Sequence, residues 1–206
     1  LRLFIIYSFV AIFWALFDQT GSTWVIQANS LNRNWLGINW LPSQIQAINP
    51  IMILIFVPLF SYGVYPFLNK FFTVTPLKKI SIGLFLAVPS FIIIGILQSK
   101  LDAGQIPNIS WQIFAYAILT ASEVLVSITC LEFSYTQAPN SMKSLIMGVF
   151  MLSIALGNIF TAAINIFIQN SDGTLKLAGS SYFYFFAILM FITAILFLFV
   201  VKYYKP

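Results

Sequence analysis

Residues 3–24, LFIIYSFVAIFWALFDQTGSTW, contain one charged side chain, Asp18, in an otherwise apolar run. About 20 mostly apolar residues cross a bilayer as a helix, so this stretch reads as a membrane span that carries a carboxylate in its outer half. Five more runs have the same character: Gln44 to Leu68, Ile80 to Leu97, Ser110 to Phe133, Leu145 to Ile168 and Tyr182 to Val201. The expected fold is therefore an all-α membrane protein of six transmembrane helices. With 60% hydrophobic and 7% charged residues and a mean hydropathy of +0.95, the chain lies outside the usual range of soluble domains. A long apolar run begins at once, without the basic flank and small-residue cleavage site of a signal peptide, and the chain reads as part of a longer protein.

Composition also removes several chemistries. The chain has no histidine and a single cysteine, Cys130, so it cannot assemble a Ser-His triad, an HExxH zinc site, a CxxC pair or a disulfide framework. An intramembrane aspartyl protease would need a second aspartate at membrane depth, which is missing. No enzymatic activity, metal or organic cofactor is expected. The net charge of +5 comes from basic residues scattered between the apolar runs, which is no nucleic-acid face but does report orientation. With six spans, one side collects Arg2, Lys70, Lys78, Lys79, Lys143, Lys202 and Lys205, and the other Arg33, Lys100 and Lys176. This places both ends in the cytoplasm, with the protein in the inner or plasma membrane of the cell. Asp102 and Asp172 then fall in outer loops and read as solvated charges. Asn108-Ile109-Ser110 is an outward glycosylation sequon, though it abuts a helix.

The spans differ in their polar residues. The first carries Ser8, Ala11, Ala15, Asp18 and Ser22 at spacings of three and four, hence on one face. The fourth repeats the device with Tyr116, Thr120, Glu123, Ser127 and Cys130, and the fifth shows Met151, Ile154, Asn158, Ala162 and Asn165. The third and sixth have no ionisable group between their ends and read as lipid-facing. Each half is thus a triplet: a first helix with an intramembrane acid, a second with amides or small residues, and a third that is plainly apolar. Three helices per unit invert its orientation, as in the inverted three-plus-three repeat of a major facilitator bundle.

A mid-helix Asp or Glu costs about 2.5 to 3.5 kcal/mol on insertion scales, so such groups face a bundle interior or an aqueous cavity. Asp18 and Glu123 are read either as packing carboxylates or as ligand-binding and proton-relay groups, since loss of water favours the protonated form. No Lys or Arg lies at their depth, so a cation partner must come from other helices or from a substrate. In PSQIQAINP (42–50), Asn49 precedes Pro50, whose missing N–H frees a carbonyl one turn back. An amide beside a free carbonyl suits a substrate ammonium, or simply eases a proline kink. Trp14, one turn before Asp18, and Phe150 read equally as cavity wall or packing aromatics. Glu132 and Lys143 flank FSYTQAPNSM (133–142) as a candidate inner grip, or as ordinary helix-end charges.

Several motifs together resemble the C-terminal half of the proton-dependent oligopeptide transporter family: FWALFDQTGSTW (13–24), QIQAINP (44–50), VYPFLNK (64–70), TPLKK (75–79), EVLVSITCLEFSYTQAPNSMKS (123–144) and Gly157-Asn158. The resemblance runs from Arg2 to Asn158 in the family's order. It implies proton-coupled symport of di- and tripeptides by alternating access between two six-helix bundles, this chain (1–206) being the second. The partners implied are the peptide, protons, the lipid bilayer and an N-terminal bundle that lies outside this chain. By resemblance Glu123 receives the peptide's amino terminus beside Asn49, Trp14 and Phe150 match pocket positions, and Asp18 serves outer gating and proton coupling. Arg2 matches a gating arginine. Its family partner, an aspartate on the next helix, is replaced by Ser61 in VPLFSYGVYP (57–66), so that bridge cannot form. The ExxERFxYY signature and the residues for the peptide carboxylate belong to the other half. Two alternatives stay open: a family member that carries nitrate or another small solute, against which Glu123 argues, and a non-transporting assembly subunit.

Overall fold

Hydrocarbon offers the backbone no hydrogen-bond partners, so apolar runs must satisfy their own N–H and C=O groups. In the computed structural model the chain does so as six helical spans: Leu3–Asn29, Pro42–Leu68, Pro76–Asp102, Ser110–Gln137, Lys143–Ile168 and Ser180–Tyr203. The structure describes residues 2–71, 73–137, 139–168 and 176–203, the side chains of Arg2 and Asn140 excepted. Asp172 and Lys205 lie outside the described residues.

Three of the spans change helix type along their length. The first is an α-helix over Arg2–Phe17, tightens to a 3-10 turn over Asp18–Gly21 and resumes over Thr23–Asn29. Asp18 therefore stands at a break and not within a continuous helix, and the span runs on past Trp24. The second begins as a 3-10 turn over Pro42–Ala47 and becomes α-helical over Ile48–Leu59. Pro50 accordingly lies in the first α-helical turn, where a missing N–H is tolerated, and does not kink a helix interior. π-helical turns follow at Phe60–Val64 in the second span and at Val124–Ile128 in the fourth, directly after Glu123. One extra residue per turn of this kind is commonly found at functional positions.

Packing assigns the spans unequal places. The fourth is the most buried and the second the least, with the fifth next. The expectation that the third span faces lipid is corrected. It buries Leu84, Ala87, Phe91 and Ile94, and its Gly83 sits so close to Ser122, Leu125 and Val126 of the fourth span that a Cβ there would overlap them. Away from its ends, only Ile92 and Ile96 are exposed. The sixth packs Phe186, Met190, Ala194 and Phe197 inward and turns Ile188, Ile192 and Phe199 outward.

A chain of side-chain hydrogen bonds ties the first, third, fourth and sixth spans at one end. Gln112 Nε2 donates to the Trp24 carbonyl (2.8 Å) and to Gln27 Oε1 (3.3 Å), and Gln27 Nε2 donates to the Ile94 carbonyl (3.1 Å) and to Gln98 Oε1 (2.9 Å). Gln98 Nε2 donates to Asp102 Oδ1 (2.9 Å), and Asp102 Oδ2 accepts from the Ser180 amide (3.1 Å). Asp102 is thus no free surface charge: it caps the N-terminus of the sixth span. At the same end Asn34–Trp35 pairs antiparallel with Ile38–Asn39, turning through Leu36 and Gly37, both with positive φ, as a two-residue hairpin requires. Asn108 anchors this hairpin, donating through Nδ2 to the Asn34 carbonyl and accepting through Oδ1 from the Ser110 amide, both at 2.9 Å. The sequon amide is therefore committed to the fold.

Candidate carboxylate site

Glu123 ends the α-helical part of the fourth span, with the π-turn beginning at Val124. Its Oε2 accepts from Asn49 Nδ2 at 2.8 Å, and the same amide nitrogen donates to Thr120 Oγ1 at 3.0 Å. Thr120 is fully buried, while Asn49 and Glu123 are half-buried. The structure thus brings together two residues that are 74 positions apart in the chain. Thr120 stands one turn before Glu123 on the same stripe, and the sequence reading gave it no role.

Asp18 occupies the corresponding place in the first span. Its Oδ2 accepts from Asn158 Nδ2 of the fifth span at 2.6 Å. The short bond is charge-assisted when the carboxyl is ionised. The approach is possible because Gly157 carries no side chain: a Cβ there would overlap the Ala11 carbonyl and the Trp14 Cβ. Thr161 Oγ1 closes the crossing with a 2.9 Å bond to the Ala15 carbonyl. Carbonyls released by the 3-10 turn find other donors, since Tyr116 OH donates to the Thr20 carbonyl at 2.9 Å. Neither carboxylate has a cation partner among the described residues.

The pattern joining these contacts is crosswise. The acid of the first span is held by an amide of the fifth, and the acid of the fourth by an amide of the second. Each acid sits on the first helix of a triplet, beside an irregular turn, and takes its amide from the middle helix of the other triplet.

Trp14 and Phe150 lie edge to face, with ring centroids 6.0 Å apart at 84°, and both are more than nine-tenths buried. In this conformation they pack against each other, with the Tyr7 ring also edge to face with Phe150 at 6.4 Å. The Trp14 indole N–H has no acceptor among the described residues, leaving a donor beside the acid stripe. Glu132 and Lys143 are both exposed and form no ion pair with each other. The structure also shows a contact the sequence did not suggest: Lys79 Nζ lies 3.9 Å from the Tyr65 ring centroid, which joins the second and third spans. Ser61 is exposed within the π-turn of the second span.

Comparison with known proteins follows the same lines. The family model described as POT family matches residues 1–183. Peptide transporter PTR_A of Candidozyma auris is 34% identical over 179 residues, which is 78% of this chain and 30% of that protein. Peptide transporter 3 of Caenorhabditis elegans is 48% identical over 102 residues, 50% of this chain and 15% of its own length. Among solved structures, that of an auto-inhibited POT family peptide transporter matches all of this chain with a TM-score of 0.90 at 32% identity, and this chain covers 41% of it. The POT family transporter PepTSo matches 98% of the chain with a TM-score of 0.88 at 33% identity, again over 41% of its own length. The chain therefore spans well under half the length of these relatives, and its helices are those of an integral membrane protein with a major facilitator bundle.

Proposed function

The chain belongs to the POT family, and on that premise we propose that it is the C-terminal six-helix bundle of a proton-coupled symporter of di- and tripeptides. Both of its ends lie on the cytoplasmic side, and an N-terminal bundle completes the substrate path. This half receives the peptide's amino terminus. The observation that carries the proposal is Glu123: a half-buried carboxylate that accepts one hydrogen bond from Asn49 and has no cation partner among the described residues. A peptide ammonium brings a full charge and three donors, which suits that arrangement better than a neutral or anionic cargo.

In this mechanism the ammonium pairs with Glu123 beside Asn49, while Trp14 and Phe150 separate to line the cavity. A proton neutralises Asp18, and the outer gate closes. Arg2, Glu132 and Lys143 act at the inner gate. Each coupled charge crossing the membrane gains about 2.3 kcal/mol per 100 mV, and each pH unit adds about 1.4 kcal/mol, enough together for accumulation on the order of several hundredfold. The proton is the coupling ion, and no other cofactor takes part.

Uptake of a labelled dipeptide into proteoliposomes holding the intact protein tests this, with and without an inward proton gradient. Wild type is expected to concentrate the dipeptide under the gradient, and Glu123→Gln to lose that uptake while still inserting. Saturable nitrate uptake that dipeptides fail to inhibit would overturn the assignment of cargo. A second reading has one observation in its favour: a POT family transporter in complex with 5-aminolevulinic acid matches this whole chain with a TM-score of 0.80 at 25% identity. That compound also carries an amino group, so inhibition by 5-aminolevulinic acid without any dipeptide transport would shift the cargo to small amino-bearing solutes.

A further inference from the structure

The amide of Asn158 has a place in the site that the family resemblance does not assign. Asn49 divides its donors between Glu123 and Thr120, so it keeps a partner on the fourth span if Glu123 turns to another ligand. Asn158 donates to Asp18 alone among the described residues. Its side chain is exposed, and it stands next to Gly157, where the first and fifth spans make their closest crossing. The two spans are therefore joined at a tight contact point that the Thr161 hydroxyl holds to the Ala15 carbonyl, with the charge-assisted Asp18–Asn158 bond as the one tie there that a proton can alter.

We propose that Asn158 is the positioning residue for Asp18, and that the Asp18–Asn158 hydrogen bond is the tie that an arriving proton weakens, freeing the fifth span to turn about the Gly157 crossing. The inference rests on the transport reading above. A carboxylate accepts an amide hydrogen bond more strongly than a neutral carboxylic acid does, so protonation of Asp18 directly lowers the cost of parting it from Asn158. The other intramembrane acid is Glu123 of the fourth span, whose own amide comes from the second. No cation pairs with Asp18 among the described residues. Proton arrival thus loosens the fifth span, whereas ammonium arrival at Glu123 competes with Asn49 for the same oxygen and leaves the second span held through Thr120. These are the two least buried spans.

The test separates proton-driven uptake from exchange. Intact wild type and Asn158→Leu are placed in proteoliposomes, and dipeptide uptake under an inward proton gradient is compared with counterflow, in which trapped unlabelled dipeptide exchanges for labelled dipeptide at equal pH. Asn158→Leu keeps the branched outline of the side chain and removes the donor. It is expected to retain counterflow within about twofold and to lose gradient-driven uptake by about tenfold, the scale on which a hydrogen bond to a charged group acts. Asn158→Gln, which keeps an amide donor, is expected to recover most of the loss. Equal loss in both modes would make Asn158 a packing residue and overturn the proposal, as would unchanged uptake in both. A wild type that transports no dipeptide in either mode overturns the transport reading itself and this proposal with it.

Discussion

At the scale of the residue, the amide of Asn49 shows how much depends on a neighbour with no charge. Thr120 fixes the rotamer of Asn49 by accepting its second hydrogen, leaving Asn49 Oδ1 free to accept from a ligand. Thr120→Val keeps the shape and removes the acceptor. It is expected to raise the KM for dipeptide about three- to tenfold with kcat little changed, the cost of one buried hydrogen bond, as read from initial uptake rates. Equal falls in kcat and in the amount of folded protein would point to packing instead. The acids themselves were legible from sequence, because Asp and Glu at membrane depth are conspicuous and helical spacing puts them on a small-residue stripe. The role of Thr120 was not legible. Its place on the stripe was visible, but its function depends on an amide 71 residues away. For Asp102 the sequence misled, because a loop carboxylate looks the same whether it faces water or caps a helix across the bundle.

At the scale of the element, span number and span character were readable and span environment was not. A purely apolar helix such as the third suits lipid and protein equally, since lipid tails are as apolar as Leu, so the lack of ionisable groups said nothing about its burial. Turn chemistry was hidden for a related reason: the 3-10 turn at Asp18–Gly21 stands where Tyr116 of the fourth span takes up the Thr20 carbonyl, and hydropathy is blind to such partners. The crossing of the first and fifth spans yields a prediction of its own. Gly157→Ala places a methyl group against the Ala11 carbonyl and Trp14, which forces the helices apart or shifts the Asp18 turn. Overpacking of this sort costs about 1 to 3 kcal/mol. A lowered thermal unfolding midpoint is expected in detergent, together with loss of gradient-driven uptake. An unchanged midpoint would mean that the crossing yields without cost.

At the scale of the whole molecule, two triplets of helices are interlocked through their polar groups. The triplet pattern of acid, amide and apolar helix could be read along the chain, but its crosswise closure could not, because nothing in a linear sequence says that the first span meets the fifth and the fourth meets the second. The four most buried spans share the glutamine and aspartate ladder at the hairpin end, while the second and fifth each answer an acid of the other triplet with one amide. The crossed pairs make each triplet chemically incomplete by itself. Were the gene divided at Gly104, between the third and fourth spans, each product would carry an unanswered acid and a stranded amide into lipid. Either piece made by itself should be cleared by cellular quality control, whereas co-expression should let both accumulate as a complex that co-purifies on a single affinity tag. Steady levels of one piece without the other would show that the lone triplet finds its own partners. The crossed bonds would then act, for biogenesis, as a proofreading step: a nascent chain is accepted only once its last three helices have reached its first three.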